Sequence, residues 1–535
     1  MSIPIVTGSV MASIDRAAQE CWGVAGLYLM ERAGEAFTQV LWDPSRGFDC
    51  TCPAVVCGAG NNGGDGFVIA RRLASAEFKP VILMTTEPDR LRGDAKTSYQ
   101  RLLEQGLGPI ALDERTGADV LRRSIRQATV VVDAVLGTGI SGAPKGLAAI
   151  AITEMNAAHA PVVSVDIASG VNADTGAVDG GAVSATLTVT FGLPKVGHFL
   201  PPGINFRGDL AIRDIGFPVS LLDEAPHDAA IPEEADIAAI LPKRTTSCHK
   251  GTAGHLCVIA GSRNMSGAAL LCARAACRAG AGLVTLAMPV SLIPIAAASL
   301  WEALLFPLPE TIDGTLAEDA AARVLESSHR FTAAVIGPGL SQQEETKSVV
   351  RRLVAELPIP ILIDADGLNA LTPELLSSRP YPWAATPHPG ELARLLDAAS
   401  ASEIQMDRWG WARRAYMALR GPVALKGAAT VVAASGKLLV VNPTGGPEMA
   451  SGGMGDVLSG IVGALLAQGC GPEDALYAGV YLHGLAADLL AGREGYRTLT
   501  AGDVSGMIQA AVAQVSGPAE GTPSRRVEYD RPRSR

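Results

Sequence analysis

Short runs of β-branched and aliphatic residues alternate along the chain with longer stretches of helical periodicity. In the first half the runs Ala54–Cys57, Val81–Thr85, Val130–Asp133, Val162–Asp166 and Leu187–Phe191 predict strands. In the second half Leu256–Ala260, Leu283–Ala287, Ala334–Ile336, Ile361–Asp364, Val423–Lys426 and Leu438–Val441 do the same. Wholly apolar strands separated by helical patterns imply parallel sheets covered by helices on both faces, an α/β fold. The segment 217–246, FPVSLLDEAPHDAAIPEEADIAAILPKRTT, is rich in Pro and acid and carries no strand pattern. It places a boundary near residue 225, with domains at 1–225 and 226–515. The stretch 516–535 is polar and Pro-rich and reads as a disordered tail.

Composition narrows the class. A chain of 535 residues suggests two to four domains, and 48% hydrophobic against 18% charged residues excludes wholesale disorder. The net charge of −10 argues against nucleic acid as the main partner. The charge-free stretch Ala279–Trp301 contains Pro289 and Pro294 and divides into a strand-like Leu283–Met288 and a helix-like Ile295–Leu300. A membrane span is rejected there because a bilayer needs roughly 20 continuous helical apolar residues. Nine cysteines, odd in number and without zinc spacing, read as thiols in a reducing compartment. No charged segment followed by an apolar core opens the chain, so a cytoplasmic location is expected.

Strand Ala54–Cys57 runs into Gly58-Ala59-Gly60-Asn61-Asn62-Gly63-Gly64-Asp65-Gly66, and a helix is expected from about Phe67. Gly58, Gly60 and Gly63 satisfy GxGxxG, with Glu87 after the next strand, which suggests a dinucleotide turn. Asp65 argues against a simple one, because an unpaired carboxylate at a helix N-terminus repels a pyrophosphate. Asp133 leads into a second anion-friendly loop at Leu136–Gly142, and Asp166 leads into Ser169-Gly170. Ligands of open parallel sheets bind beyond the strands' carboxyl ends, so Asn62, Asp133, Asp166 and Ser169 should converge on one crevice. Oxygen donors without His or Cys suit an alkali or alkaline-earth ion.

The sequences GAGNNGGDGF, VVDAVLGTGISG, VDIASGVNADTG and FGLPKVGH resemble the NAD(P)H-hydrate epimerase domain over roughly residues 10–220. The resemblance implies a Rossmann-like three-layer αβα domain. It assigns the hydrated dinucleotide to Asn61, Asn62, Gly63, Gly64 and Asp65, to Gly137-Thr138-Gly139-Ile140-Ser141-Gly142-Ala143, and to Asp166. It implies K+ held by Asn62, Asp133 and Ser169. Asp166 is the candidate for the acid–base step at carbon six. Lys195 either faces the same crevice or is a solvated loop lysine.

In the second half, Gly452-Gly453-Met454-Gly455-Asp456 opens an apolar helix. Free backbone N–H groups and the positive dipole end converge there, an anion hole for a transferring phosphoryl group, with Asp456 placed to accept a proton. No GxxxxGK[ST] occurs. This feature resembles the ribokinase superfamily. Together with His249-Lys250-Gly251, Gly337-Pro338-Gly339, Asp364-Ala365-Asp366-Gly367, Thr386-Pro387-His388-Pro389-Gly390-Glu391 and Lys426-Gly427-Ala428-Ala429-Thr430, it resembles the nucleotide-dependent NAD(P)H-hydrate dehydratase over roughly residues 235–512. The resemblance implies a ribokinase-like αβα domain. It assigns substrate to Ala268, Gly339, His388 and Asp456, and the adenylate to Lys426–Thr430 and Gly455. Gly446 and Glu448 depart from the pattern, and Glu448 adds negative charge near the phosphates. His388 reads as a turn histidine or as a ligand, with the ligand role preferred.

The combined expectation is a bifunctional enzyme that epimerises hydrated NADH and NADPH and dehydrates one epimer at the expense of ADP or ATP with Mg2+. Its expected partners are NADHX, NADPHX and the nucleotide, as a homo-oligomer without nucleic acid or membrane. The alternative is a ribokinase-class small-molecule kinase carrying a non-catalytic N-terminal binding module.

Overall fold

The computed structural model describes residues 2–113, 115–244, 246–397, 400–434, 438–494 and 498–517. The chain divides into two compact units, one of residues 3–231 with 405–407, the other of the remaining residues.

In the first unit, strands β1 (Ile3–Ile5), β2 (Pro53–Cys57), β3 (Val81–Met84), β4 (Ile110–Ala111), β5 (Val130–Ala134), β6 (Val162–Val165), β7 (Leu187–Phe191), β8 (Asp209–Arg213) and β9 (Ala229–Ile231) follow in chain order. Seven of them form one sheet in the order β4-β3-β2-β5-β6-β7-β8, and every pairing in it is parallel. β1 and β9 pair antiparallel apart from it. All five residues of β2, β5 and β7 are buried, which is why they read as unbroken apolar runs.

Several expectations change here: the strand expected to end at Thr85 stops at Met84, and that expected to end at Asp133 runs on to Ala134. The segment after residue 217 does contain a strand, β9; three small or aliphatic residues between acids and a proline are too short to show a period. The strand expected to run to Asp166 ends at Val165. The helix expected from Phe67 starts at Asn61. Its glycines look like loop residues, yet Gly63 and Gly64 are buried, and a Cβ on Gly63 would lie 2.1 Å from the Gly58 carbonyl oxygen. Close packing therefore overrides glycine's low helix propensity.

In the second unit the strands are β10 (His255–Ile259), β11 (Leu283–Pro289), β12 (Leu304–Leu308), β13 (Ala333–Ile336), β14 (Ile361–Ile363), β15 (Trp383–Ala385), β16 (Val423–Leu425), β17 (Val431–Ala433) and β18 (Leu439–Val441). They run β18-β17-β16-β15-β14-β13-β10-β11-β12. From β16 to β12 they are parallel, and β16, β17 and β18 form an antiparallel meander. The charge-free stretch resolves as expected into β11 and a helix at Ile293–Ser299. The helix Pro472–Glu494 is long and apolar enough to span a bilayer, but 72% of its apolar window is buried in this unit's core. The last helix extends to Ser516, and the tail expected from there lies, from residue 518, outside the described residues.

The helix Met454–Ala467 packs along the helix Ser266–Arg278, and at Gly460 the two backbones nearly touch. A Cβ there would lie 2.2 Å from the Cys272 carbonyl oxygen and 3.0 Å from the Ala276 nitrogen. Gly460→Ala gains about 1 kcal/mol of helix propensity, but overpacking against backbone costs roughly 1–3 kcal/mol. Net destabilisation of the second unit is expected in calorimetry of the full chain; an unchanged or raised melting temperature would show that the helices can separate freely.

Candidate functional site

Each unit collects polar residues at the carboxyl ends of its parallel strands. In the first, Asp133 at the end of β5 is completely buried. Its Oδ2 accepts from the Ser164 hydroxyl at 2.8 Å and the Ser169 N–H at 2.9 Å, and its Oδ1 accepts from the Ser169 hydroxyl at 2.6 Å. Burial raises its pKa against the pull of these bonds. Ser169 Oγ accepts from the Leu136 N–H at 2.8 Å, and Asn62 Nδ2 donates to the Leu136 carbonyl at 3.1 Å. Asn62, Asp133 and Ser169 thus meet around the start of the Gly137–Ala143 loop, whereas Asp166, expected in the same crevice, bonds to Lys195 and Thr190. The Asn62 Oδ1 atom is buried without a hydrogen-bond partner.

Asp166 sits just past β6 with φ +64°, left-handed backbone that is uncommon for a residue with a side chain. Its Oδ1 accepts from Lys195 Nζ at 2.5 Å and from the Thr190 hydroxyl at 3.0 Å. Lys195 is wholly buried, so the solvated reading of that lysine is excluded. Burial pushes the Asp166 pKa up, but Lys195 outweighs it and holds the carboxyl below its ordinary value. His198 accepts from the Lys195 N–H at Nδ1, and its Nε2 lies 3.1 Å from the Asp166 carbonyl. Nε2 therefore carries the proton, and burial lowers the histidine's pKa to about 3, so the ring is neutral. Asp65, in the second turn of its helix, is pushed well above the carboxylate range by burial and then by Asp166. Burial thus disfavours the charge that would repel phosphates at this helix.

In the second unit, Gly453 takes φ +89° ahead of the helix Met454–Ala467, with no side chain capping the first turn. A Cβ on Gly455 would lie 3.5 Å from Lys426 Nζ and 3.7 Å from Asp364 Oδ2, so the helix start stands over that pair. Lys426 Nζ donates to Asp364 Oδ1 at 2.6 Å and lies 3.5 Å from Glu391 Oε2. Burial alone would lower the lysine's pKa; Asp364 and Glu391 outweigh it and raise it. Asp456 is raised to about 7, first by burial and then by Asp364, with Lys426 opposing.

Gly339 (φ +63°) lies against Ala268, whose Cβ would be 3.1 Å from a Cβ at 339. Residues Gly427–Thr430 turn between β16 and β17, with Ala429 at φ +47°. His388 caps the helix Pro389–Leu396. Its Nδ1 accepts from Gly390 and Glu391, and its Nε2 lies 3.3 Å from Glu391 Oε1. The turn role is therefore real, and half of the side chain is left exposed. The Gly446 N–H donates to Glu448 Oε1 at 2.9 Å, so that carboxylate turns back on its own loop. Ser459 carries no local pattern that marks it, and Asp364, Glu391 and His198, though within the motifs above, show their partners only in the fold. A cavity of about 530 Å³ lined by Leu41, Trp42, Phe48 and Phe78 lies at the amino ends of β2 and β3, where no expected site residue falls.

The family model described as NAD(P)H-hydrate dehydratase matches residues 256–510, and that described as YjeF-related protein N-terminus matches residues 26–197. A bifunctional NAD(P)H-hydrate repair enzyme Nnr of Moorella thermoacetica is 38% identical over 506 residues, 94% of this chain and 95% of that one. The enzyme of the same name in Escherichia coli is 38% identical over 499 residues, 92% of this chain and 91% of that one. A crystal structure of ADP/ATP-dependent NAD(P)H-hydrate dehydratase from Bacillus subtilis, co-crystallised with ATP/Mg2+, covers 53% of this chain and 98% of its own at 33% identity and TM-score 0.48. With both halves matched and the relatives aligned almost end to end, the chain belongs to the bifunctional NAD(P)H-hydrate repair enzymes.

Proposed function

We propose that the first unit interconverts the R and S hydrates of NADH and NADPH, and that the second dehydrates the S form at the expense of ADP or ATP. The observation that carries the reading is Asp456, near neutrality in its pKa, at an uncapped helix N-terminus over a lysine paired to a buried carboxylate.

Hydroxide is a poor leaving group. Asp456 takes the proton of the carbon-six hydroxyl, whose oxygen attacks the terminal phosphorus, and the bond from that phosphorus to the rest of the nucleotide breaks. The open N–H groups of the helix and Lys426 receive the phosphate's negative charge. The carbon–oxygen bond then breaks, phosphate leaving as the ring nitrogen donates its electrons, and loss of the carbon-five proton restores the reduced ring. Lys426–Thr430 and Gly455 are assigned to the nucleotide, and Ala268, Gly339 and His388 to the substrate.

Asp364, Asp366 and Glu391 outnumber Lys426 around this point, and Asp456 adds to them once it ionises. That balance fits a divalent cation arriving with the phosphates, because Mg2+ is typically held by phosphates and one or two carboxylates.

In the first unit, Asp166 is kept as a carboxylate by Lys195 and takes the acid–base role. Asn61–Asp65 and Gly137–Ala143 bind the dinucleotide. The partnerless Asn62 Oδ1, with the oxygens of Asp133 and Ser169, is a hard-donor set that fits K+. Asn62 would hold the ion from the helix and the other two from the strand ends; when bound, K+ supplies fixed positive charge there.

Recovery of reduced-nicotinamide absorbance from a mixed-epimer hydrate, with ADP, ATP or neither and with or without Mg2+, tests the whole reading. Full recovery with one nucleotide and Mg2+ is expected; a stable phosphorylated product would mark an ordinary ribokinase-class kinase instead. Asp456→Asn should abolish dehydration and spare epimer exchange, and Asp166→Asn should do the reverse; the opposite pattern would exchange the two assignments. Because the base must be unprotonated, kcat/KM for dehydration should rise with pH through about 7. A profile flat from about pH 5 to 8 removes Asp456 from that role. Replacing K+ by a large organic cation should slow epimer exchange, and Asn62→Ala should abolish the difference; a rate indifferent to the cation overturns the potassium assignment.

A further inference from the structure

Both oxygens of the Asp364 carboxylate are taken by groups distant in sequence. Lys426 Nζ donates to Oδ1 at 2.6 Å, and the Ser459 hydroxyl donates to Oδ2 at 2.6 Å. Asp364 is 1% exposed, so water is not available to replace either partner. Ser459 is one turn beyond Asp456 on the helix that begins over the ion pair. One buried carboxylate therefore touches both the lysine beneath the phosphate site and the helix whose N–H groups form it.

We propose that Asp364 is a positioning residue of the dehydratase site: it fixes the Lys426 ammonium beneath the anion hole and ties the anion-hole helix to the end of β14 through Ser459. The inference rests on the dehydratase reading of the second unit. A free lysine side chain has many rotamers, and restraining it before binding removes an ordering cost from the bound state. Glu391, 3.5 Å from Nζ on another helix, restrains the same ammonium. Phosphates then meet a cation already in place, the condition under which electrostatic stabilisation is largest.

Asp364 also acts on Asp456. The charged or titratable groups around Asp456 are Asp364 and Asp366 after β14, Lys426 after β16, Glu391 on the helix Pro389–Leu396 and Cys272 on the helix Ser266–Arg278. Burial keeps the Cys272 thiol protonated. His483, on the helix Pro472–Glu494 and within the influence of Lys426, is held neutral by burial at about 4. Without the Asp364 charge, Asp366 and Glu391 face a lysine whose main counter-charge is gone, so Asp456 stays ionised to lower pH.

The test uses the full chain carrying Asp364→Asn or Asp364→Glu, with dehydration followed against pH and epimer exchange measured in the same samples. In Asp364→Asn, kcat/KM at neutral pH should fall roughly a hundredfold, and the acid limb should move down by about one pH unit. Asp364→Glu should return the limb to its wild-type position while kcat stays low, because the longer side chain displaces the ammonium. An asparagine variant with an unmoved limb and a loss below about threefold overturns the proposal. If that variant does not fold, the glutamate variant decides: a low kcat with an unmoved limb supports the role, and a wild-type kcat overturns it. A wild-type chain that fails to dehydrate the hydrate overturns the dehydratase reading itself.

Discussion

A lysine can remain charged out of water only where a carboxylate meets it, and both units place such a pair at the end of a parallel strand. Lys195 rests on Asp166 at 2.5 Å and Lys426 on Asp364 at 2.6 Å. Removing Asp166 leaves the buried Lys195 ammonium uncompensated, and removing Lys426 does the same to the buried Asp364 carboxylate, at a cost of about 3–5 kcal/mol. Around each pair the neighbouring polar groups are ordered by the same field. His198 is neutral beside Lys195, Asp65 is pushed upward by burial and then by Asp166, and Asp456 titrates near neutrality above Asp364. Two folds of different topology thus use one electrostatic arrangement for different chemistry.

The parallel sheets explain why these groups gather where they do. Every strand of such a sheet points the same way, so successive loops after β5, β6 and β7, or after β14, β15 and β16, emerge at one edge. Asp133 is still within its strand, whereas Asp166 and Asp364 are the first residues outside theirs. The backbone at those points has left the ladder, and side chains can turn toward a ligand instead of the core.

Much of this was legible from sequence because buried parallel strands are apolar on both faces. Val130–Val132 and Leu187–Phe191 announce themselves, as do the glycines and aspartate at 452–456. Trp383–Ala385 and Val431–Ala433 do not: the first is three residues set among prolines, and the second follows directly on the Gly427–Thr430 turn and runs into alanines. Asp209–Arg213, on the sheet edge with a mixed burial pattern, looks like a loop. The supporting residues were hidden for another reason. Lysine is usually solvated, so the burial of Lys195 follows only from the fold that brings it to Asp166 across 29 positions. Ser459 reads as a polar interruption in an apolar helix until the fold sets it against Asp364, 95 positions earlier.

The left-handed backbone at Asp166 has an evolutionary side. Few side chains tolerate φ +64°; asparagine, aspartate and above all glycine do so at little cost. Glycine would relax the backbone at this position, but it deletes the carboxylate and leaves the buried Lys195 ammonium without its counter-charge. A lineage relieved of selection on its first unit would meet a conflict here, because the residue easiest on the backbone is the hardest on the charge buried beside it.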